Sequence, residues 1–266
     1  MIESLWLAAP AGLALALLLM LLVWLGSLWW RDASLVDRFW GVGFVLVAGL
    51  WWWSGPRPDG AWLVLLLVSL WGIRLSLWLT WRNWGQGEDA RYRAMREHHG
   101  QRFSWRSLIT VFGLQGVILW LVALPLLVAV REMEAALLLS PLTLTGVALF
   151  VSGLVFEAVG DWQLAWFKAD PANRGRVMDR GLWRYTRHPN YFGEMLVWWG
   201  LFALAAVAGG WWTLISPVLM TFLLARVSGV TLLEQHMRET RPGYADYVAR
   251  TSALVPWPPG RGQGRR

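Results

Sequence analysis

The chain has 266 residues, 56% of them hydrophobic and 15% charged, with a mean hydropathy of +0.42 and a formal net charge of +7. A soluble domain carries roughly 25% charged residues, so this composition points into a bilayer, and the basic excess reads as Arg-rich cytoplasmic loops rather than a nucleic-acid surface. Cys is absent, which excludes disulfides, thiolate metal sites and cysteine nucleophiles, and His98, His99, His188 and His236 form no spaced metal-ligand set.

Seven apolar blocks follow in chain order, at about 5–30, 39–54, 61–81, 107–130, 140–160, 190–208 and 211–230. Each is long enough to cross a hydrocarbon core of ~30 Å, the second being short. The first lacks a basic start and is too long for a signal-peptide core, so it reads as a spanning helix. The segments after the first, third, fifth and seventh blocks hold almost all the Arg residues, whereas the opposite segments hold Arg57 and Arg131. The positive-inside rule then predicts an all-α, polytopic integral membrane protein with seven transmembrane helices, its N-terminus outside and its C-terminus cytoplasmic. No internal repeat, heptad or low-complexity tract is evident apart from a polar tail at 260–266, so a single membrane domain is expected, in a bacterial-type inner (plasma) membrane. Many of the 23 Trp residues sit at block ends, where indoles favour the membrane interface.

The densest polar stretch is Gly181-Leu-Trp-Arg-Tyr-Thr-Arg-His-Pro-Asn-Tyr-Phe-Gly-Glu194, directly before the sixth block. Pro189 suits the first turn of a helix, where its missing N–H costs nothing. Bare N–H groups at that helix start, beside Arg184, Arg187 and His188, would make an anion site. Asn190, Tyr191 and Glu194 share one flank at helical spacing. Glu157 and Asp161, one turn apart in the fifth block, and Arg74 and Arg226 inside other blocks are costly in lipid and imply a polar cavity or a paired network.

These residues resemble the C-terminal domain of steroid 5-alpha-reductases and the bacterial membrane family related to it. The likeness rests on residues 181–194, on Asp37-Arg-Phe-Trp40, on Arg82-Asn-Trp-Gly-Gln-Gly-Glu-Asp-Ala-Arg-Tyr92, and on Glu234, Tyr244, Tyr247 and Pro256. It implies a reductase that takes hydride from NADPH in a cytoplasm-facing intramembrane cavity. The hydride would go to a carbon–carbon double bond of a lipophilic enone, steroid- or isoprenoid-like, entering from the bilayer. The resemblance assigns cofactor contacts to Asp161, Lys168, Asn190, Glu194 and Arg226, with Arg174, Arg187 and His188 as phosphate neighbours and Tyr191, Glu234 and Tyr247 in the same motifs. Animal members polarise the ketone with a Glu on helix two and a Tyr on helix three. Here Asp37 stands in for the Glu, Trp71 occupies the Tyr position, and Tyr92 is the other candidate proton donor.

A second resemblance, to S-adenosylmethionine-dependent membrane methyltransferases of the isoprenylcysteine or phospholipid type, rests on Arg187-His-Pro-x-Tyr191 and the late acidic residue. That chemistry relies on positioning rather than on a proton donor. Asn190 before Tyr191 and Glu194 after it favour the reductase. A transporter would show paired Gly/Pro breaks in corresponding halves; Pro125 and Pro217 interrupt blocks four and seven without an accompanying repeat.

Overall fold

The fold was analysed in a computed structural model, which describes residues 2–227, 237 and 240–260. In chain order the main helices are α1 (Ile2–Trp30), α2 (Leu35–Trp53), α3 (Ala61–Asn83), α4 (Ala90–His99), α5 (Phe103–Ser107), α6 (Leu114–Glu132), α7 (Pro141–Ala169), α8 (Pro189–Val207), α9 (Ile215–Phe222) and α10 (Tyr244–Arg250). Among the described residues six helical stretches are long and apolar enough to cross a membrane, as befits a multi-pass membrane protein. The fourth of these runs over 90–132, well beyond the expected block, because α4, α5 and a π-helical turn at Leu108–Gly113 lead into α6. Of the seventh expected block, the described residues show a shorter apolar helix, Trp211–Arg226. It opens as a 3-10 turn and passes into a π-helical turn at Leu223–Val227, and the rest of the block lies outside the described residues.

By its internal packing the chain divides into two compact units. Unit one comprises Met1–Thr143 and Leu204–Ser216. Its core is aromatic and close-packed: Phe44, Trp51, Trp71, Phe112 and Leu119 are fully buried. α2 and α3 touch backbone to backbone at Gly41 and Gly72, where a Cβ on Gly41 would lie 2.2 Å from the Gly72 carbonyl oxygen. Two indoles find acceptors on α1, since an unmet N–H is costly in lipid: Trp51 Nε1 donates to the Ala8 carbonyl and Trp120 Nε1 to that of Ala9, both at 2.9 Å. In the turn of α6 that precedes Pro125, the Val122 carbonyl accepts the buried Ser216 hydroxyl.

Unit two comprises Leu144–Ala203 and Pro217–Arg266. A glycine seam joins α7 to α8: Gly146, Gly153 and Gly160 recur every seven residues on α7, and Gly193 and Gly200 do so on α8. A Cβ on Gly153 would meet the Gly193 carbonyl oxygen at 2.5 Å, and one on Gly200 would meet that of Gly146 at 2.6 Å. Small residues of this kind let membrane helices approach to backbone contact. Gly153→Leu is therefore expected to force the two helices apart, at a cost of about 1–3 kcal/mol or more. Thermal unfolding in detergent should show a clear drop in melting temperature, while Gly49→Leu, at a glycine with open space around it, should not.

Candidate functional site

The seam brings a polar cluster together in unit two. Gly160 packs so closely on α8 that its Cβ would lie 3.1 Å from Pro189 and 3.2 Å from the Asn190 amide nitrogen. The next residue, Asp161, is 5% exposed, and its Oδ1 accepts the Asn190 side-chain amide at 3.2 Å. One turn earlier Glu157 is 2% exposed. His188 is also buried and lies flat against Tyr191, with ring centroids 5.3 Å apart and planes 4° from parallel. Glu194 follows one turn after Asn190, half-buried. Asp161, His188, Asn190 and Tyr191 are thus assembled within one short stretch of helix–helix contact.

The loop that carries His188 is pinned on both sides. Trp183 donates its indole N–H to the Gly160 carbonyl at 3.0 Å, and the Leu182 amide donates to Gln163 Oε1 at 3.0 Å. The positive φ of Gly181, +58°, is matched by a Gln163 contact that leaves no room for a side chain. The C-terminal segment lies along the same loop through a parallel bridge between Thr186 and Ser252. Arg187 donates to the carbonyls of Thr251 and Val248, and the Trp257 amide donates to the Tyr185 carbonyl at 2.9 Å. Tyr247 donates its hydroxyl to the Trp183 carbonyl. Burial, and next the neighbouring Tyr244, hold its phenol above the usual tyrosine range, so it stays a donor.

These contacts change the reading of the helix start. The His188 amide donates to Thr186 Oγ1 at 3.3 Å and the Tyr191 amide to Asn190 Oδ1 at 3.1 Å, while Pro189 has no N–H. The anion site expected at bare N–H groups is therefore largely filled from within, and the Arg187 guanidinium is engaged with backbone carbonyls. What the cluster offers instead is buried carboxylate acceptors, an amide and a stacked aromatic pair. Lys168 and Arg174 are exposed, in the last turn of α7 and in the loop after it, and Arg226 is exposed in the π-helical turn. Glu234 lies outside the described residues.

In unit one the two proton-donor candidates meet. The Tyr92 hydroxyl donates to Asp37 Oδ1 at 3.0 Å, and Arg91 pairs with Asp37 Oδ2 at 3.0 Å. Trp71 is fully buried against Phe44, with centroids 5.6 Å apart. Around the pair runs a network that joins Glu88, Asp89 and Arg38 of the quoted motifs to Asp32, Ser34 and Arg96, which the motifs did not include. Glu88 takes a two-pronged contact from Arg96, at 2.9 and 2.7 Å, and the Ala33 amide at 2.9 Å. Ser34 bonds Asp32 and accepts the Asp89 amide at 2.8 Å, and Arg38 pairs with Asp32 at 3.0 Å. The signal lay in two short polar tracts, 31–38 and 82–96, that flank separate helices and carry complementary charges.

Burial pushes Glu88 upward, but the Arg96 guanidinium and the Ala33 amide outweigh it and hold its carboxyl below the usual carboxylate range. Asp89 is likewise lowered, with burial overcome by Arg91. A carboxylate held below its unfolded value adds stability above that value and loses it as the pH falls through the folded one. The melting temperature should therefore decline between about pH 5 and pH 3. Glu88→Gln should flatten that decline and cost about 1–3 kcal/mol at neutral pH by leaving Arg96 without its ion pair. An unchanged pH profile in Glu88→Gln would separate this network from acid stability.

Comparison with known proteins places the chain. It is 31% identical over 117 residues to 3-oxo-5-alpha-steroid 4-dehydrogenase 1 of Rattus norvegicus and, to the same extent, to that of Mus musculus. The matched stretch covers 44% of this chain and 42% and 43% of the two relatives, so the chain spans well under half the length of these curated relatives. No solved structure matches significantly. Residues 23–251 match the family described as Protein of unknown function (DUF1295), and the chain belongs to that family.

Proposed function

We propose that the protein is an NADPH-dependent reductase of a carbon–carbon double bond in a lipophilic enone, drawn from the bilayer and worked on from the cytoplasmic side. The observation that carries this reading is the buried Asp161–Asn190 contact with His188 stacked on Tyr191 beside it. Buried carboxylates and an amide suit a ligand rich in hydroxyl and amide donors, which the ribose and carboxamide of a nicotinamide nucleotide provide. A flat aromatic pair adds a stacking surface. Lys168, Arg174 and Arg226 are exposed cations of a kind that suits its phosphates. The relatives, named as 3-oxo-5-alpha-steroid 4-dehydrogenases, support the reaction class.

NADPH, when bound, supplies the hydride that adds to the β-carbon of the enone. Reduction then needs an acceptor of charge at the ketone oxygen and a proton at the α-carbon. Tyr92 and Asp37 are the pair in this chain suited to that role. In the resting arrangement the single phenolic proton of Tyr92 is directed at Asp37, whose other oxygen is held by Arg91. Tyr92 polarises a carbonyl when that proton turns from the carboxylate to the substrate, leaving Asp37 paired with Arg91.

Glu194→Gln, an isosteric change at a half-buried position, should weaken NADPH roughly tenfold by removing a charged acceptor. Titration by quenching of tryptophan fluorescence in detergent measures this, with melting temperature as the control for folding. Wild type should respond to NADPH and not to S-adenosylmethionine; the opposite response would favour methyl transfer. Tyr92→Phe should leave NADPH affinity unchanged and lower turnover of a 3-oxo-4-ene steroid about a hundredfold. Undiminished turnover would remove Tyr92 from the proton path.

A further inference from the structure

We propose that unit one carries a site for an anionic glycerophospholipid, in the cleft between α2 and α3 beside the Arg31–Asp32 turn. The cleft has a volume of about 740 Å³ and is lined wholly by residues of unit one. Its walls are apolar and face outward: Phe39 and Val42 from α2, Ile73 and Leu77 from α3. They run for about two helical turns, ~10 Å, which matches the upper part of an acyl chain rather than a small anion. Trp30 and Trp84 flank the polar end, both strongly exposed, as indoles at the headgroup level are.

The polar end is built and carries an unmet donor. Arg38 lines the cleft, with one terminal nitrogen on Asp32 at 3.0 Å, while its Nε is buried without a hydrogen-bond partner. A buried guanidinium N–H without an acceptor is costly and calls for an oxygen. Charge points the same way. Asp32 is answered by Arg38 and Glu88 by Arg96, whereas Arg31 makes no ion pair among the described residues. The Arg31 backbone is held at a φ of +52° by a turn fastened through Ser34 and Glu88, which fixes its exposed side chain at the rim. A phosphodiester would lie against both guanidiniums, that of Arg38 lining the cleft and that of Arg31 at the rim. A neutral ketone would leave the second charge unmatched, and neither Asp37 nor Tyr92 lines this cleft.

The test uses the full chain in neutral detergent with phosphatidylglycerol, phosphatidylcholine or inorganic phosphate added, read by melting temperature and by lipid retained in native mass spectrometry. Phosphatidylglycerol should raise the melting temperature and stay bound, phosphatidylcholine should do so less, and phosphate alone should do nothing. Arg31→Gln, at an exposed position, should weaken the phosphatidylglycerol response about fivefold, the contribution of one interfacial cation. Ile73→Trp, which fills the cleft, should abolish it; should that variant fail to fold, Arg31→Gln decides alone. A shift with phosphate alone, equal responses to the two lipids, or an unaltered response in Arg31→Gln would overturn the proposal.

Discussion

A carboxylate inside a membrane-crossing helix has to be answered by a donor from a neighbouring helix, and at Asp161 that requirement governs how unit two is built. The Asn190 amide reaches Asp161 because α7 and α8 approach to backbone contact, and they do so because the seam between them is glycine. Gly160 sits at the polar end of that seam, next to Asp161 in sequence and against Pro189 and Asn190 in space. Packing, which needs small residues, and the polar cluster, which needs proximity, are thus met by one sequence pattern. The loop before α8 is then held from two directions, by Trp183 and Gln163 toward α7 and by Arg187 and Tyr247 toward the C-terminal segment.

Unit one solves the same problem with ion pairs. The turn between α1 and α2 and the segment from the end of α3 into α4 each carry charges that would be stranded alone. Together they form a network in which Asp32, Asp37, Glu88 and Asp89 each face an Arg. Such networks fix geometry more surely than they add stability. Here the geometry fixed is that of the Tyr92 hydroxyl on Asp37, a hydrogen bond spanning 55 positions of sequence. The same network leaves Arg38 Nε without a hydrogen-bond partner and Arg31 without an ion pair among the described residues, the two observations on which the proposed lipid site rests.

Much of this was legible in the sequence where the signal is local. Apolar blocks gave the long helices, and Pro189 marked the start of α8 where the structure begins it. Asp37 and Tyr92, read from the sequence as alternative proton donors, are brought into contact by the chain. Three features were not legible, each for a physical reason. The seven-residue glycine spacing on α7 is hidden inside an apolar run, because a seam of small residues has no polar contrast to reveal it. The engagement of Arg187 by the carbonyls of Val248 and Thr251 depends on a C-terminal segment more than 60 residues away, as the bridge from Thr186 to Ser252 records. Finally, helix-start amides read as bare in a sequence are met here by the side chains of Thr186 and Asn190, so the helix end supplies less positive charge than its dipole suggests.

The central claim is that the Asp161–Asn190 cluster holds a nicotinamide nucleotide. Hydrogen–deuterium exchange of the detergent-solubilised protein, with and without NADPH, tests it without knowledge of the substrate. The account predicts slowed exchange in the segments around 157–168 and 186–194 on addition of NADPH, and none there with S-adenosylmethionine. Unchanged exchange in both segments at saturating NADPH, or the same protection by S-adenosylmethionine, would contradict it.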